Sequence, residues 1–327
     1  MNRREALAAL SALAAAIHPL GGFARALPTP ARIAFLGVLP ASSASSLLSL
    51  FRKGLTSEGF AQERDYTIDY LAEPQIDRVT AKVAELLNRK PALLVAITTP
   101  VAQAAAGATR EVPIVFGIVS DPVGSGLVAS LARPGGNVTG VSNMLPALSG
   151  KLLELMRELM PGISRAAVLW NPDNPAKAIE AEELRAASRK LGISLEELPV
   201  RSLKEIELAL APRAKSAPRA LVILAETLTD AHRKRISELA DAARMAVVSN
   251  YAPHTLAGGV LSYQPDYATL NVRLGALAGK ILKGTKPAEL PVELPTKFEL
   301  LINAKAAKTL GLKVPQSLLV RADRVIE

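Results

Sequence analysis

The sequence predicts an α/β chain folded as two doubly wound parallel sheets, and three observations carry that prediction. Short β-branched or apolar runs recur about every 20 to 35 residues, with helix-period patterns between them; such alternation builds a parallel sheet wrapped by helices. Leu93 to Ile97 is apolar throughout, as a strand covered on both faces must be. The alternation restarts after Gly135-Gly136-Asn137, which gives a second sheet, and 327 residues is the length of roughly two domains.

Taken in order, Arg32 to Leu39 is the first strand. A serine-rich loop leads into a helix marked by Leu47, Leu48, Phe51 and Leu55 and stopped by Gly59. Tyr66 to Tyr70 is the second strand; Val79, Val83, Leu86 and Leu87 mark the next helix, ended by Pro91. After Leu93–Ile97, Thr99 is placed as N-cap with Pro100 at the first helical position, and Ile114 to Val119 is the fourth strand. Pro134-Gly135-Gly136-Asn137 is the expected first crossing between the two domains. Beyond it come a helix over Ser149–Met160, strands at Ala166–Trp170 and Ser194–Val200, and a helix opened by Asn174-Pro175 and closed by Gly192. Ser202-x-x-Glu205 reads as a capping box. Strand Ala220–Leu224, helix Asp230–Ala243 and strand Ala246–Ser249 continue the series.

Residues 1–26 stand apart from the fold. Met1-Asn2-Arg3-Arg4 is basic, Ala6 to Ile17 is built from Ala and Leu, and Ala24-Arg25-Ala26 offers a small-x-small cleavage site. These flanks favour a signal peptide cleaved near Ala26 over a buried Ala-rich helix, and Arg3-Arg4 points to twin-arginine export. The apolar stretch falls short of the roughly 20 residues needed to span a bilayer. The expected location is the periplasm.

Composition removes several functions. With no cysteine there is no disulfide framework, zinc cluster or catalytic thiol, and three scattered histidines do not make a metal site. The formal charge of +9 is spread along the chain, without the aromatic-laced basic stripe or recognised module of a nucleic-acid binder. Gly124-Ser125-Gly126-Leu127-Val128-Ala129 matches G-x-G-x-x-A, but it follows the fourth strand and lacks the downstream strand-end acid of a dinucleotide fingerprint. No Walker lysine loop and no G-x-S-x-G elbow is present. No cofactor, metal or catalytic residue is assigned.

Ligands in such sheets bind beyond the carboxyl ends of the strands, at helix N-termini. The residues there are Ser42 and Ser43, Thr98 and Thr99, Ser120 and Asp121, Asn171, Glu226, and Ser249, Asn250 and Tyr251. Hydroxyls and amides with a few carboxylates suit hydrogen bonding to a small polar molecule and supply no evident base or nucleophile. Each has a plainer alternative: Ser42, Ser43 and Thr99 as caps, Asp121 as a turn former before Pro122, Glu226 and Tyr251 as surface residues, and the nearby Trp170 as core.

The stretch Asp121 to Asn143 resembles the central signature of a family of ABC-transporter substrate-binding proteins that includes tryptophan and other aromatic amino-acid receptors. Ala167 to Pro172, Gly258 to Tyr263 and Leu294 to Asn303 are similar to its later blocks, so the resemblance covers essentially all of 30–327. It implies a two-lobed, hinged receptor of the type I periplasmic-binding-protein kind with three crossings, near Gly140, Tyr263 and Pro295. Lobe I is then 27–140 plus 264–294, with helix Tyr267–Leu282 in it, and lobe II is 141–263 plus 295–327. Asn143, in the signature, joins the ligand-binding set. The expected function is capture of a small polar metabolite, such as an amino acid or related carboxylate, by a monomer that delivers it to an inner-membrane ABC permease. A ligand carboxylate would face Ser43, Thr98 and Thr99, and an ammonium would face Asp121 or Glu226. The aromatic specificity of the named receptors is not carried over. An exported two-domain transferase and a ligand-sensing domain for a membrane receptor are the alternatives.

Overall fold

The computed structural model describes residues 30–39, 44–211 and 218–327. The expected signal peptide, Ser42 and Ser43 lie outside the described residues. The first sheet is made by β1 (Ala31–Gly37), β2 (Tyr66–Ala72), β3 (Leu93–Ile97), β4 (Ile114–Val119) and β5 (Val138–Ser142). Its helices are α1 (Ser45–Ser57), α2 (Val79–Asn88) and α3 (Thr99–Ala108). The second half runs α4 (Leu145–Leu159), β6 (Arg165–Trp170), α5 (Pro175–Leu191), β7 (Ser194–Pro199), α6 (Leu203–Ala209) and β8 (Ala220–Ile223). Then follow α7 (Thr227–Ala231), α8 (Arg233–Ala242), β9 (Ala246–Ser249), α9 (Ala252–Leu256), β10 (Leu261–Pro265), α10 (Tyr267–Leu282), β11 (Phe298–Asn303), α11 (Ala304–Thr309), α12 (Gln316–Arg321) and β12 (Arg324–Ile326).

The first sheet has the order β2-β1-β3-β4-β5 and is parallel throughout. The second, β12-β11-β10-β9-β8-β6-β7, repeats that order in its β7-β6-β8-β9-β10 part and adds β11, antiparallel to β10, and β12. The predicted α/β class with two parallel-sheet lobes is therefore what forms, with one antiparallel pair. Alternate residues of each buried strand go to opposite faces. Ile33 and Phe35 pack with Phe51 and Leu55 of α1 and Leu274 and Leu277 of α10; Ala34 and Leu36 pack with Val83 and Leu86 of α2 and Val101 of α3. In the second sheet Val168 and Val222 join Leu152 and Met156 of α4, while Leu169 and Leu221 join Ile206 of α6 and Ile236 of α8. None of the described helices is long and apolar enough to cross a membrane.

Three chain passages connect the sheets: Asn143–Met144, Pro265–Asp266 and Leu294–Lys297. They lie side by side, since Ser142 N–H donates to Glu293 O at 2.9 Å and Asp266 N–H to Lys297 O at 3.0 Å. The first passage comes after Ser142 and not at Pro134–Asn137, because Val138 to Ser142 first pairs with β4 as the fifth strand. Gly135 and Gly136, both at positive φ, make only the turn into β5, and Asn137 Nδ2 ties that turn to Thr109 O and Val112 O. The second passage likewise follows β10, slightly beyond Tyr263. Two helix predictions are corrected as well. Helix α4 starts at Leu145, on Met144 in the left-handed region with φ 52°, and the helix expected over Asp230–Ala243 is broken at His232 because Glu226 starts a separate turn with its own capping box. The Ser202 box is half formed: Ser202 Oγ accepts from Glu205 N–H, but the Glu205 carboxylate takes the Arg201 N–H.

Helices α1 and α10 meet backbone to backbone. A Cβ on Gly54 would lie 2.0 Å from Val272 O, and one on Gly275 2.0 Å from Phe51 O. Glycine to alanine inside a helix ordinarily stabilises by about 0.5–1 kcal/mol. Here overpacking, typically costing about 1–3 kcal/mol, reverses the sign. Gly54→Ala and Gly275→Ala should each lower the thermal midpoint by several degrees; a rise in either would refute the close approach.

Candidate functional site

The order β2-β1-β3 sends the connections from β1 to opposite faces of the sheet, leaving a crevice at its carboxyl end. β7-β6-β8 does the same in the other lobe, and the two crevices face one cavity of about 450 Å³. Lobe I contributes Gly37, Tyr70, Glu73, Thr98, Thr99, Ser120 and Asn143, joined by Tyr267 and Asn271 of α10. Lobe II contributes Asn174, the N-cap of α5, and Lys177 in its first turn, with Glu226, Asp230, Tyr251 and Gln264.

The two walls differ in chemistry. On lobe I, α3 points its N-terminus at the cavity, and the amides of a first helical turn have no intrahelical acceptors and carry the positive end of the dipole. Thr98, not Thr99, is the residue before the helix; it holds φ 83°, donates its N–H to Gly117 O and makes no side-chain cap. Thr99 Oγ1 instead accepts from Ser120 N–H at 3.4 Å. Asn143, 1% exposed, donates from Nδ2 to the Tyr267 hydroxyl at 3.4 Å and leaves Oδ1 without a partner.

On lobe II, Glu226 caps α7 by accepting from Leu228 N–H at 2.9 Å. Burial pushes its carboxyl above the usual range, while Lys177, the α7 amides and Asn171 pull the other way. Burial also raises Asp230, against the opposing charge of Arg233 at 3.3 Å. Lys177 reaches the cavity but is spent on Glu180, at 2.5 Å, with both side chains almost wholly buried. Tyr251 meets Tyr267 of the other lobe edge to face, with centroids 5.7 Å apart, and burial raises its hydroxyl to about 12. Behind Tyr251, burial and the Arg233 charge hold His254 neutral, down to about 3. The groups offer binding and no nucleophile paired with a base; among the described residues no His, Cys, Asp and Glu cluster could hold a metal.

A family model described as "ABC transporter substrate binding protein" matches residues 33–326. The chain belongs to that family. It is a substrate-binding protein and not an enzyme, which removes the transferase alternative. A tyrosine-binding protein of Clostridioides difficile (strain R20291) is 27% identical over 264 residues, covering 80% of this chain and 76% of the relative. A domain from Streptococcus pneumonia, solved in complex with L-Trp, superposes with a TM-score of 0.84 at 28% identity, covering 91% of this chain and all of that one. A conserved domain protein from Vibrio cholerae gives 0.85 at 27% identity with the same coverage.

In this substrate-binding protein, Thr98, Thr99, Ser120, Asn143, Glu226 and Tyr251 are brought together on the cavity as expected of strand-end residues. Four others are not on it. Asp121 turns back to accept from Val123 and Gly124 N–H, the turn-forming role. Asn171 accepts from Asp173 N–H and supports Glu226. Ser249 donates to Ile223 O inside the sheet. Asn250 accepts from Ala225 N–H and donates to Glu180, so it braces the buried ion pair. Trp170 packs against the lobe II core with Arg185 over its ring at 5.8 Å. Sequence reasoning missed Tyr70, Glu73, Asn174, Lys177, Asp230, Gln264, Tyr267 and Asn271. The strand-end rule applied to β2 reaches Glu73, and Asn174-Pro175 marks a helix start whose first turn carries Lys177. Tyr267 and Asn271 arrive through the returning helix, which local sequence does not place.

Removing one member of a buried ion pair typically costs about 3–5 kcal/mol, whereas replacing both by apolar groups is often neutral. Glu180→Gln should therefore lower unfolding stability in denaturant titrations more than Lys177→Met combined with Glu180→Leu. Equal losses would show that the pair does not control the stability of this wall.

Proposed function

We propose that this substrate-binding protein is exported, captures an α-amino acid with a large, mainly apolar side chain between its lobes, and delivers it to the permease of an ABC importer. The observation that carries the reading is the division of chemistry across the cavity. Lobe I offers the N-terminus of α3 with Thr98, Thr99 and Ser120, which suits a carboxylate; lobe II offers Glu226 and Asp230, which suit an ammonium. Phe35, Leu39, Leu50, Tyr70 and Ile76 supply apolar wall for a side chain. Relatives that bind tyrosine and L-Trp fit that volume and polarity. The three adjacent passages form the hinge. A ligand shifts the open–closed balance only by binding the closed form more tightly, and here Glu226, Asp230 and Tyr251 supply that extra affinity as the lobes come together. The basic, Ala-rich start of the chain supports export through the inner membrane.

A calorimetric screen of the L-amino acids tests this. Saturable binding is expected for the large apolar and aromatic ones, and at a hundredfold excess over Kd it adds about 2.7 kcal/mol to stability. The matching amino-acid amides, which lack the carboxylate, should not bind; binding of amides as tight as that of the acids would overturn the reading.

Glu226→Gln, which removes a charge-assisted bond worth about 1.5–3 kcal/mol, should weaken binding tenfold or more, while Asp121→Ala should leave it unchanged. The raised Glu226 carboxyl also sets the sign with pH. It must be ionised to hold an ammonium, so affinity should fall as pH drops through its raised pKa, and Glu226→Gln should flatten the profile. Apo stability moves the other way, because folding disfavours the ionised form and protonation relieves that cost.

A further inference from the structure

We infer that Glu73 selects the solute by its side-chain tip: the cavity takes an amino acid whose side chain ends in an N–H or O–H donor. This rests on the amino-acid reading above and adds a specificity-determining residue to it. Glu73 follows the end of β2, where its own N–H is fixed to Gly37 O at 2.9 Å, and its side chain lines the cavity while only 8% exposed. Oε1 accepts from Gln75 N–H at 2.9 Å; the described residues give Oε2 no hydrogen bond and the carboxylate no ion pair. The cavity-lining residues next to it along the chain are Pro74, Ile76 and Val79, and Tyr70 on the other side, whose hydroxyl is already spent on Leu39 O. A carboxylate so placed is costly unless something in the cavity donates to it.

Strand order sets the reach. β2 lies two strands from β3, where Thr98 and Thr99 would take the α-carboxylate, and two strand spacings are about 9.6 Å. From α-carboxylate to phenolic oxygen, an extended tyrosine measures roughly 8 Å on standard bond lengths. A ligand anchored at α3 and lying along the strand ends therefore brings its tip to Glu73, and leucine or valine would stop short.

The test measures binding of three matched pairs to the wild-type protein: tyrosine with phenylalanine, tryptophan with its benzothiophene analogue, and lysine with norleucine. In at least one pair the donor-bearing member should bind about tenfold tighter or more, since a site built for a donor penalises the analogue lacking it. Glu73→Gln keeps the shape and an oxygen for Gln75 N–H but turns an acceptor into a donor, so it should abolish that preference while sparing the donor-less member. Glu73→Ala should abolish it too. Which pair responds tells a phenol, an indole and an ammonium apart. The inference is overturned if no wild-type pair is discriminated, or if both variants keep the wild-type ratios. In either case binding of the donor-less members shows that the amino-acid reading survives; if no amino acid binds at all, both fall together.

Discussion

Parallel pairing of β1 with β2 on one side and β3 on the other is the constraint from which the rest of lobe I follows. Parallel strands need crossover helices, and the right-handedness of those crossovers puts helices reached in opposite directions on opposite faces. The carboxyl end of β1 is then left uncovered, and the helix starting after β3 aims its free amides into the gap. The same order in β7-β6-β8 gives lobe II an equivalent gap. Two crevices that face each other make one shared cavity. The side-chain chemistry is laid over a concavity that backbone topology has already made.

What distinguishes the two walls is how each handles charge. Around the start of α3, lobe I presents dipoles, hydroxyls and amides, which cost little to hold in a partly dry space; its cavity carboxylate, Glu73, lies two strands away, after β2. Lobe II presents carboxylates whose ionised forms are opposed by burial, so they gain most from a cationic partner. Asp230 is already met by Arg233, and Lys177, whose charge acts on Glu226, is neutralised by Glu180, itself braced by Asn250. On the proposed reading, an unpaired Lys177 would have satisfied Glu226 internally and left little electrostatic reason for a ligand ammonium to bind there. The buried pair thus keeps a structural charge apart from the Glu226 carboxylate on the same wall.

The fold was legible because buried parallel strands leave an unmistakable trace: Leu93–Ile97 and Ala220–Ile223 are apolar at every position. Part of the candidate site was legible by the same logic, since residues just past strand ends tend to face the crevice. The logic fails where a strand-end polar group satisfies the backbone first. Asp121 sits at a strand end but spends its carboxylate on two amides of its own turn, and Ser249 donates to the neighbouring strand before reaching the cavity. It fails again for Tyr267 and Asn271, because their place on the wall depends on α10 returning through the second chain passage to lie on α1. That return is read from the glycines at 54 and 275 only once the helices are seen to touch.

Backbone strain gathers at the same place. Thr98 at φ 83°, Ile118 at φ 57° and Met144 at φ 52° are three of the six described non-glycine residues at positive φ, and each sits at a lobe I strand end or the passage leaving it. Ile118 lies where the β4–β5 register shifts, and Ser120, just past the end of β4, donates its N–H to Thr99 Oγ1. Such conformations cost about 1–3 kcal/mol each and persist only where the surroundings over-determine them. Thr98 shows the benefit: with its N–H held by Gly117 O, its positive φ turns the chain from the end of β3 into α3 at the cavity. A glycine would adopt that backbone more easily, but it would also leave it more easily. A β-branched residue there holds the start of α3 in place, and on the proposed reading a donor set aimed before any ligand arrives lowers the cost of binding.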